Sequence, residues 1–226
     1  MLTAVMAALV TVAALAAVIV LRMQRDQAEG VRGAAPPSSS PADAAAACGD
    51  RPCEVLTSVP VGSTTVELLA DAAGRNGRLR FLADGGTSVQ ETALAGMGVR
   101  LTQRSLSCAK GTTSACLVRG GHDGGVVGEV FVARGGGWEP VEQPYFSSAA
   151  FLDLVQVTGN GNAEVAVAQM PDCAGSAAEC AGAPIVVEVF GLDGTSEGCT
   201  PPYGALTQLP GWPDVDLTDG DLQTCG

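Results

Sequence analysis

Hydrophobic and polar positions divide the 226-residue chain into three parts. Residues 2–21 form a run of 20 uncharged, mostly apolar positions, about the length that a helix needs to cross the hydrocarbon core of a membrane. Residues 24–47 lack aromatic side chains and hydrophobic periodicity, so they are expected to be a disordered Ala/Pro/Ser linker. From Cys48 onward, apolar and polar residues alternate over short stretches, as in half-buried strands. The pattern predicts a transmembrane signal-anchor helix over residues 1–23, then the linker, then a β domain over residues 48–226.

The β domain is expected to be all-β, with short antiparallel strands joined by tight turns. Asn76-Gly77, Gly159-Asn160-Gly161 and Asp193-Gly194 lie between apolar stretches, where glycine and asparagine readily adopt the positive φ that tight reversals need. After the anchor, the periodicity indicates no amphipathic helix longer than about two turns. Strands are predicted near residues 64–70, 78–83, 88–94, 99–106, 115–119, 128–134, 138–142, 151–157, 163–169 and 185–191.

The cysteines indicate three repeated units within this domain. Three pairs of cysteines lie close together along the chain, and each pair is followed by an alternating stretch, TVELLA, GEVFVA or VVEVFG. We therefore predict disulfide-stapled antiparallel β repeats over residues 48–107, 108–172 and 173–226. The eight cysteines are predicted to form the disulfides Cys48–Cys53, Cys108–Cys116, Cys173–Cys180 and, by elimination, Cys199–Cys225.

Cysteine usage and the charges beside the apolar run predict opposite orientations. Arg22, Arg25 and Arg32 follow the run and no cation precedes it, which by the positive-inside rule alone places the domain in the cytoplasm. An even number of closely spaced cysteines is instead typical of disulfides formed in an oxidising compartment. Zinc is the competing interpretation, but the chain has no C-x-x-C and one histidine. We give the cysteines more weight and predict a single-pass cell-membrane protein with an extracellular C-terminal domain. The alternative for the apolar run is a long, cleaved signal sequence.

The charge of the chain is negative and unevenly distributed. The chain has 12 Lys and Arg against 24 Asp and Glu, and residues 135–226 hold 13 carboxylates with no Lys or Arg. This balance excludes nucleic acid as a partner, because a phosphate backbone is bound by clustered cations. An acidic surface of this kind faces water, binds divalent cations or meets a basic partner.

One segment resembles a known repeat. Phe151–Met170, FLDLVQVTGNGNAEVAVAQM, is similar to the FG-GAP or VCBS type of propeller repeat, in which a strand leads into an Asp/Asn/Gly loop and then into an apolar strand. The resemblance implies propeller-blade-like repeats, and a loop that can hold calcium through Gln156, Thr158, Asn160 and Glu164. Glu164 is the one carboxylate in this set, and calcium prefers several. We therefore expect weak calcium binding there, or a simple hairpin turn.

Three repeats are fewer than the typical blade number of a closed propeller, about four to eight. Either the repeats assemble with a second chain, or the domain is a compact β-sandwich, or the chain belongs to a longer architecture. The residues leave all three arrangements open.

A second candidate metal site lies near the C-terminus. Asp214, Asp216, Asp219 and Asp221 are the densest group of carboxylates in the chain, and alternating carboxylates in a turn bring hard oxygen ligands together. Calcium is therefore the candidate cofactor, and the alternative is a solvated acidic loop held by Cys225.

The sequence contains no recognisable catalytic constellation. His122, the single histidine, lies beside Asp123 in a glycine-rich stretch, so an exposed turn explains it better than a general base does. Residues 194–198 match the G-x-S-x-G pattern of serine hydrolases, but no histidine follows them and two prolines disfavour the required helix. Four aromatic residues are candidates for a binding surface or for the core: Trp138, Trp212, Tyr145 and Tyr203.

These observations together favour a membrane-anchored extracellular binding or structural module. Its expected partners are the membrane, through residues 2–21, and an extracellular protein or a carbohydrate. One alternative is a hydrolase that uses two carboxylates as acid and base, which requires them to face each other in a deep pocket. The other is a membrane-tethered sensor that faces the cytoplasm, which requires free thiols.

Overall fold

The computed structural model describes residues 47–171, 173, 179–180 and 182–226 of the chain. The predicted anchor over residues 1–23 and all but the last residue of the predicted linker lie outside these ranges. No helix among the described residues is long and apolar enough to cross a membrane. The described chain is all-β, with antiparallel strands, three short 3-10 turns and four disulfides.

The strands form a small hairpin and then three antiparallel sheets in chain order. The hairpin consists of β1 (Ala47–Cys48) and β2 (Arg51–Pro52). Sheet 1 consists of β3 (Glu54–Val61), β4 (Thr64–Ala70), β5 (Arg78–Ala83) and β6 (Gly86–Glu91). Sheet 2 consists of β7 (Leu106–Ala109), β8 (Ala115–His122), β9 (Gly125–Arg134), β10 (Gly137–Pro140) and β11 (Tyr145–Ser147). Sheet 3 consists of β12 (Leu152–Val155), β13 (Glu164–Gln169), β14 (Val186–Phe190) and β15 (Ser196–Cys199). The 3-10 turns are Ala93–Ala95, Leu206–Gln208 and Asp219–Asp221.

Each sheet is a meander in which consecutive strands are neighbours, except at the outer edge of sheet 2. There, β10 and β11 both pair with β9, one after the other along its length. The chain leaves the sheet between them, over residues 141–144. This interruption of the outer edge shapes the candidate site described below.

Sheet 1 has one apolar and one polar face, as the alternation along its strands predicts. Val66 of β4 lies opposite Phe81 of β5, and both are buried against sheet 2. The next residue, Glu67, lies opposite Arg80 and accepts a hydrogen bond from its Nε at 2.6 Å. Paired charges of this kind suit a face in contact with water.

Sheets 2 and 3 are apolar on both faces. Four consecutive residues of β8, Ala115–Val118, and five of β13, Glu164–Ala168, are buried. Such runs replace the alternating pattern where both faces of a strand are covered. The hydrophobic clusters show the reason: one joins sheet 1 to sheet 2, and another joins the opposite face of sheet 2 to sheet 3.

Residues 200–226, which we call the C-terminal cover, pack on the free face of sheet 3. Leu209 and Leu217 are buried there against Val187 and Val189 of β14. The stack thus has a charged face on sheet 1 at one end and the cover at the other. The first strands of neighbouring sheets contact each other, β3 with β7 and β7 with β12, and β11 of sheet 2 also contacts β13 of sheet 3. Over the described residues, the three sheets do not close into a propeller ring.

The four disulfides join the pairs predicted from the sequence. Two of them staple hairpins, Cys48–Cys53 across β1 and β2 and Cys108–Cys116 across β7 and β8. The other two are Cys173–Cys180 and Cys199–Cys225.

The sheets are offset from the repeats predicted over residues 48–107, 108–172 and 173–226. They begin at Glu54, Leu106 and Leu152. Cys173–Cys180 lies in the connection from β13 to β14, in the middle of sheet 3. A pair of closely spaced cysteines indicates a short loop that a disulfide closes. It does not by itself indicate where a sheet begins.

The strand predicted at residues 99–106 is wrong up to residue 105. Val99 and Leu101 are buried between sheets 1 and 2, but the Leu101 amide donates to the Gly74 carbonyl at 2.7 Å, outside any strand ladder. The alternation there arises from a loop that inserts side chains into the core. Conversely, the predicted set lacks β1, β2, β3, β11 and β15. Of these, β3 has mostly exposed or half-buried residues and contains Pro60, and both features weaken the strand signal.

Candidate functional site

An open groove of about 570 Å³ lies where sheets 2 and 3 meet. One wall is the interruption between β10 and β11, Pro140–Phe146, together with the end of β9 at Arg134. The other wall is β13 and the end of β14 with the turn that follows it, Phe190–Gly194. The groove has the size range of small-molecule and peptide-side-chain sites, and apolar and polar groups both line it.

Two aromatic rings form the apolar part of the groove. The ring centroids of Tyr145 and Phe190 lie 5.3 Å apart, and their planes are inclined by 53°. This tilted arrangement is favourable for aromatic pairs. Burial, and in second place the negative charge of Asp193, raise the pKa of the Tyr145 phenol. The phenol therefore stays protonated at physiological pH and retains its hydrogen-bond donor.

The strand β11 that carries Tyr145 is attached to sheet 3 by side-chain hydrogen bonds. The Ser147 hydroxyl is fully buried and donates to the Ala168 carbonyl at 2.6 Å. Gln169 donates from Nε2 to the Phe146 carbonyl at 2.6 Å, and its Oε1 accepts from the Ser148 hydroxyl at 3.0 Å. These hydrogen bonds fix β11 of sheet 2 against β13 of sheet 3 at the floor of the groove.

Arg134 on one wall and Asp193 on the other both make hydrogen bonds to the turn that follows β14. The Arg134 guanidinium donates to the Leu192 carbonyl at 3.1 Å. The Asp193 carboxylate accepts from the amide of Thr195 at 3.0 Å and from its hydroxyl. These hydrogen bonds from Thr195, with a smaller contribution from Arg134, lower the pKa of Asp193. Asp193 is therefore ionised at physiological pH, and the β14–β15 turn has a defined conformation.

A polar pocket of about 240 Å³ adjoins the groove and shares Arg134, Leu192 and Asp193 with it. Its remaining lining includes Asn160 and Glu197. The groove therefore leads from an aromatic part to a polar part, with the Asp193 carboxylate between them.

The calcium-loop residues implied by the propeller resemblance hold their own loop together. Glu164 is 1 % exposed and accepts from the Val157 amide at 2.8 Å and from the Thr158 hydroxyl at 2.5 Å. The Asn160 side-chain oxygen accepts from the Asn162 amide at 2.7 Å. These oxygens therefore have partners within the protein, and calcium binding by Asn160 and Glu164 stays a prediction.

The carboxylates of Asp214, Asp216, Asp219 and Asp221 do not converge on one point. Among the described residues, the ligand atoms that gather within 4.8 Å of one another are those of Glu188, Cys199 and Cys225, and the two sulfurs there form a disulfide. Asp221 accepts from the Thr218 amide at 2.8 Å and hydroxyl at 2.7 Å, and these bonds lower its pKa. It caps a 3-10 turn, and calcium at this loop also stays a prediction.

The remaining motif residues lie apart from one another. His122 and Asp123 occupy the β8–β9 turn, with Nε2 and Oδ2 3.2 Å apart, and the Asp123 side chain is 85 % exposed. Ser196, the serine of the G-x-S-x-G match, begins strand β15 and donates to Glu188 at 3.0 Å. The structure therefore places this serine on a strand of sheet 3 and the histidine on a hairpin of sheet 2.

The four aromatic candidates divide between the core and the surface. Trp138 is 7 % exposed and stacks on Phe81 with centroids 5.0 Å apart. A second cleft of about 520 Å³ adjoins this stack, but both rings are buried in the core between sheets 1 and 2. Trp212 is 37 % exposed and contacts Phe151 in the C-terminal cover region. Tyr203 packs against the cluster under the cover, and of the four, Tyr145 lines the groove.

Most of the groove was not anticipated from the sequence. The sequence predicts a strand that includes Phe190 and a turn at Asp193-Gly194, but nothing in it indicates that either lies beside Arg134. One available signal was the segment Pro140–Pro144, where two prolines bracket Val141, Glu142 and Gln143 after a long apolar strand. Prolines at such positions end strand pairing and indicate an edge that leaves the sheet.

A comparison of the chain with known proteins finds no matching family model, no matching curated protein and no matching solved structure.

Proposed function

We propose that this protein is a membrane-tethered extracellular binding module whose ligand occupies the groove between sheets 2 and 3. The observation that carries the proposal is the break between β10 and β11. It opens the junction of two otherwise tightly packed sheets and leaves the Tyr145–Phe190 pair at the surface of a cavity of about 570 Å³. Apolar side chains left at a concave surface with a few polar groups around them are typical of binding sites.

The extracellular location is part of the same proposal. All eight cysteines are joined in disulfides, and such bonds persist in oxidising compartments. The apolar run over residues 2–21 supplies the anchor in this proposal, and residues 24–47 the linker.

The propeller-blade interpretation of the repeats also belongs to the proposal. A propeller blade is a four-stranded antiparallel meander, and sheets 1 and 3 have that form. The charged face of sheet 1 and the C-terminal cover on sheet 3 favour a finished three-sheet stack over a fragment that needs a second chain to complete it. The groove is then a feature of one chain.

Photo-crosslinking on intact cells tests the binding site. Benzoylphenylalanine replaces Gln143, an exposed residue of the groove wall, in the full chain. The matched control carries it at Ser58, which is exposed on β3 of sheet 1 and lines neither the groove nor the cleft beside Trp138. We expect irradiation to give a discrete adduct at position 143, and Tyr145→Ala in the same chain to remove it. Adducts of equal yield at both positions, or none at position 143, would contradict the proposal.

A further inference from the structure

We propose that the ligand of the groove is a short, basic segment of a partner protein, which inserts an arginine or lysine side chain beside Tyr145 and Phe190. This inference rests on the proposed function, because it names the chemistry of the ligand for that same groove.

The charges of the groove carry the first step. Glu142 and Asp193 line it, and Glu197 lines the adjoining pocket, against one cation, Arg134. Glu142 is exposed and forms no ion pair with any other described residue. Arg134 is already engaged with the Leu192 carbonyl at 3.1 Å and lies close enough to Asp193 to lower its pKa. The groove therefore presents unpaired negative charge to its ligand.

The exposed charges after Arg134 carry the second step. Arg134 is the last cation of the chain, and the exposed carboxylates that follow it among the described residues include Glu139, Glu142, Asp193, Glu197, Asp214, Asp216 and Asp219. A surface of one sign steers oppositely charged partners and repels those of its own sign. An anionic ligand is therefore disfavoured, and a neutral sugar would gain nothing from the negative electrostatic potential.

The aromatic pair carries the third step. A guanidinium or ammonium group is attracted to the face of a tyrosine or phenylalanine ring, and the planar guanidinium also stacks on it. Tyr145 and Phe190 provide such faces, and Glu142 and Asp193 on the two walls provide the counter-charges. Asp193 keeps its charge in mildly acidic surroundings, because its hydrogen bonds lower its pKa.

The test measures binding of defined probes to the full chain in detergent micelles. The probes are fluorescein-labelled hexapeptides of alternating glycine with arginine, lysine or glutamate, and a labelled neutral hexasaccharide of N-acetylglucosamine. Fluorescence anisotropy gives the Kd of each. We expect the arginine peptide to bind most tightly and the glutamate peptide not to bind. We also expect the affinity for the arginine peptide to fall as NaCl rises from about 50 to about 300 mM, because salt screens exposed charges.

Three variants separate the groove from diffuse attraction. Glu142→Gln is expected to weaken arginine-peptide binding about two- to fivefold, as loss of an exposed ion pair does. Tyr145→Ala is expected to weaken it by roughly fivefold, from loss of the cation–π contact. Glu54→Gln removes the same charge from an exposed position on sheet 1 and is expected to leave the Kd unchanged. Equal weakening by Glu54→Gln and Glu142→Gln would overturn the inference, because binding would then follow net charge alone.

The outcomes also distinguish the inference from the proposed function. If the hexasaccharide binds in a Tyr145-dependent way and the arginine peptide does not, the inference fails and the binding groove stands. The same holds if neither probe binds while position 143 still forms a Tyr145-dependent adduct on cells. Absence of both probe binding and the adduct would overturn both.

Discussion

The Cys199–Cys225 disulfide is expected to determine whether the C-terminal cover stays on sheet 3. It closes a loop with a sequence separation of 26 residues, against 7 for Cys173–Cys180. In the chain-entropy description, closing these loops stabilises the folded state by about 3.5 and about 2.4 kcal/mol. Replacing both Cys199 and Cys225 by alanine should therefore cost about 1 kcal/mol more than replacing Cys173 and Cys180.

Urea unfolding followed by circular dichroism measures this difference. With an m value of about 2 kcal/mol/M, a loss of 3.5 kcal/mol lowers the midpoint by roughly 1.7 M. The cover packs on sheet 3 through buried side chains such as Leu209 and Leu217. If the disulfide holds it there, limited proteolysis should cut within residues 200–224 sooner in the variant that lacks Cys199 and Cys225 than in the wild type. Equal midpoints for the two double variants, with no change in proteolysis, would refute the argument that this bond holds the cover in place.

Two further substitutions test the packing around sheet 2. Burial raises the pKa of Glu129, whose carboxylate accepts from the Ala93 amide at 2.8 Å. Its protonated form is therefore favoured in the folded state, so its contribution to stability is complete below the unfolded pKa and is lost as pH rises through the folded value. Tm measured from pH 4 to pH 8 should show Glu129→Gln gaining on the wild type as pH rises, and a constant difference would contradict this. Gly125→Ala would place a Cβ against the Ser147 carbonyl oxygen, so we expect a loss of about 1–3 kcal/mol from overpacking and weaker probe binding in the groove. Gly121→Ala, whose nearest atom to an added Cβ lies 4.0 Å away, is the control and should be close to neutral in the same urea titration.

The local features of this fold were predictable because they depend on neighbouring residues. Strands β4, β5 and β13 alternate or run apolar over their whole length, and the described bounds agree with the predicted ones to within a residue. Three of the disulfide pairs were predictable for the same reason, since their cysteines are 5 to 8 residues apart, whereas Cys199–Cys225, with a separation of 26, followed by elimination. Pairing over a short separation requires little loop-closure entropy.

The groove was not predictable because it depends on packing between sheets. Arg134 and Leu192 are 58 residues apart in sequence and meet through one hydrogen bond. The loop around Val99 and Leu101 misled the strand prediction for a related reason: burial against another sheet produces the same alternation as a strand does. The alternation of apolar and polar residues indicates which side chains are buried. It does not show whether those side chains belong to a strand or to a loop.

Hydroxyl-radical footprinting on intact cells tests most directly whether the groove holds a ligand. Phe146 on the groove is 43 % exposed, and Met97 in the connection after sheet 1 is 36 % exposed. For each residue, the oxidation rate on cells is divided by its own rate in the purified full chain. We predict a ratio well below one for Phe146 and Tyr145, and a ratio near one for Met97. Ratios near one for all three residues would contradict occupation of the groove.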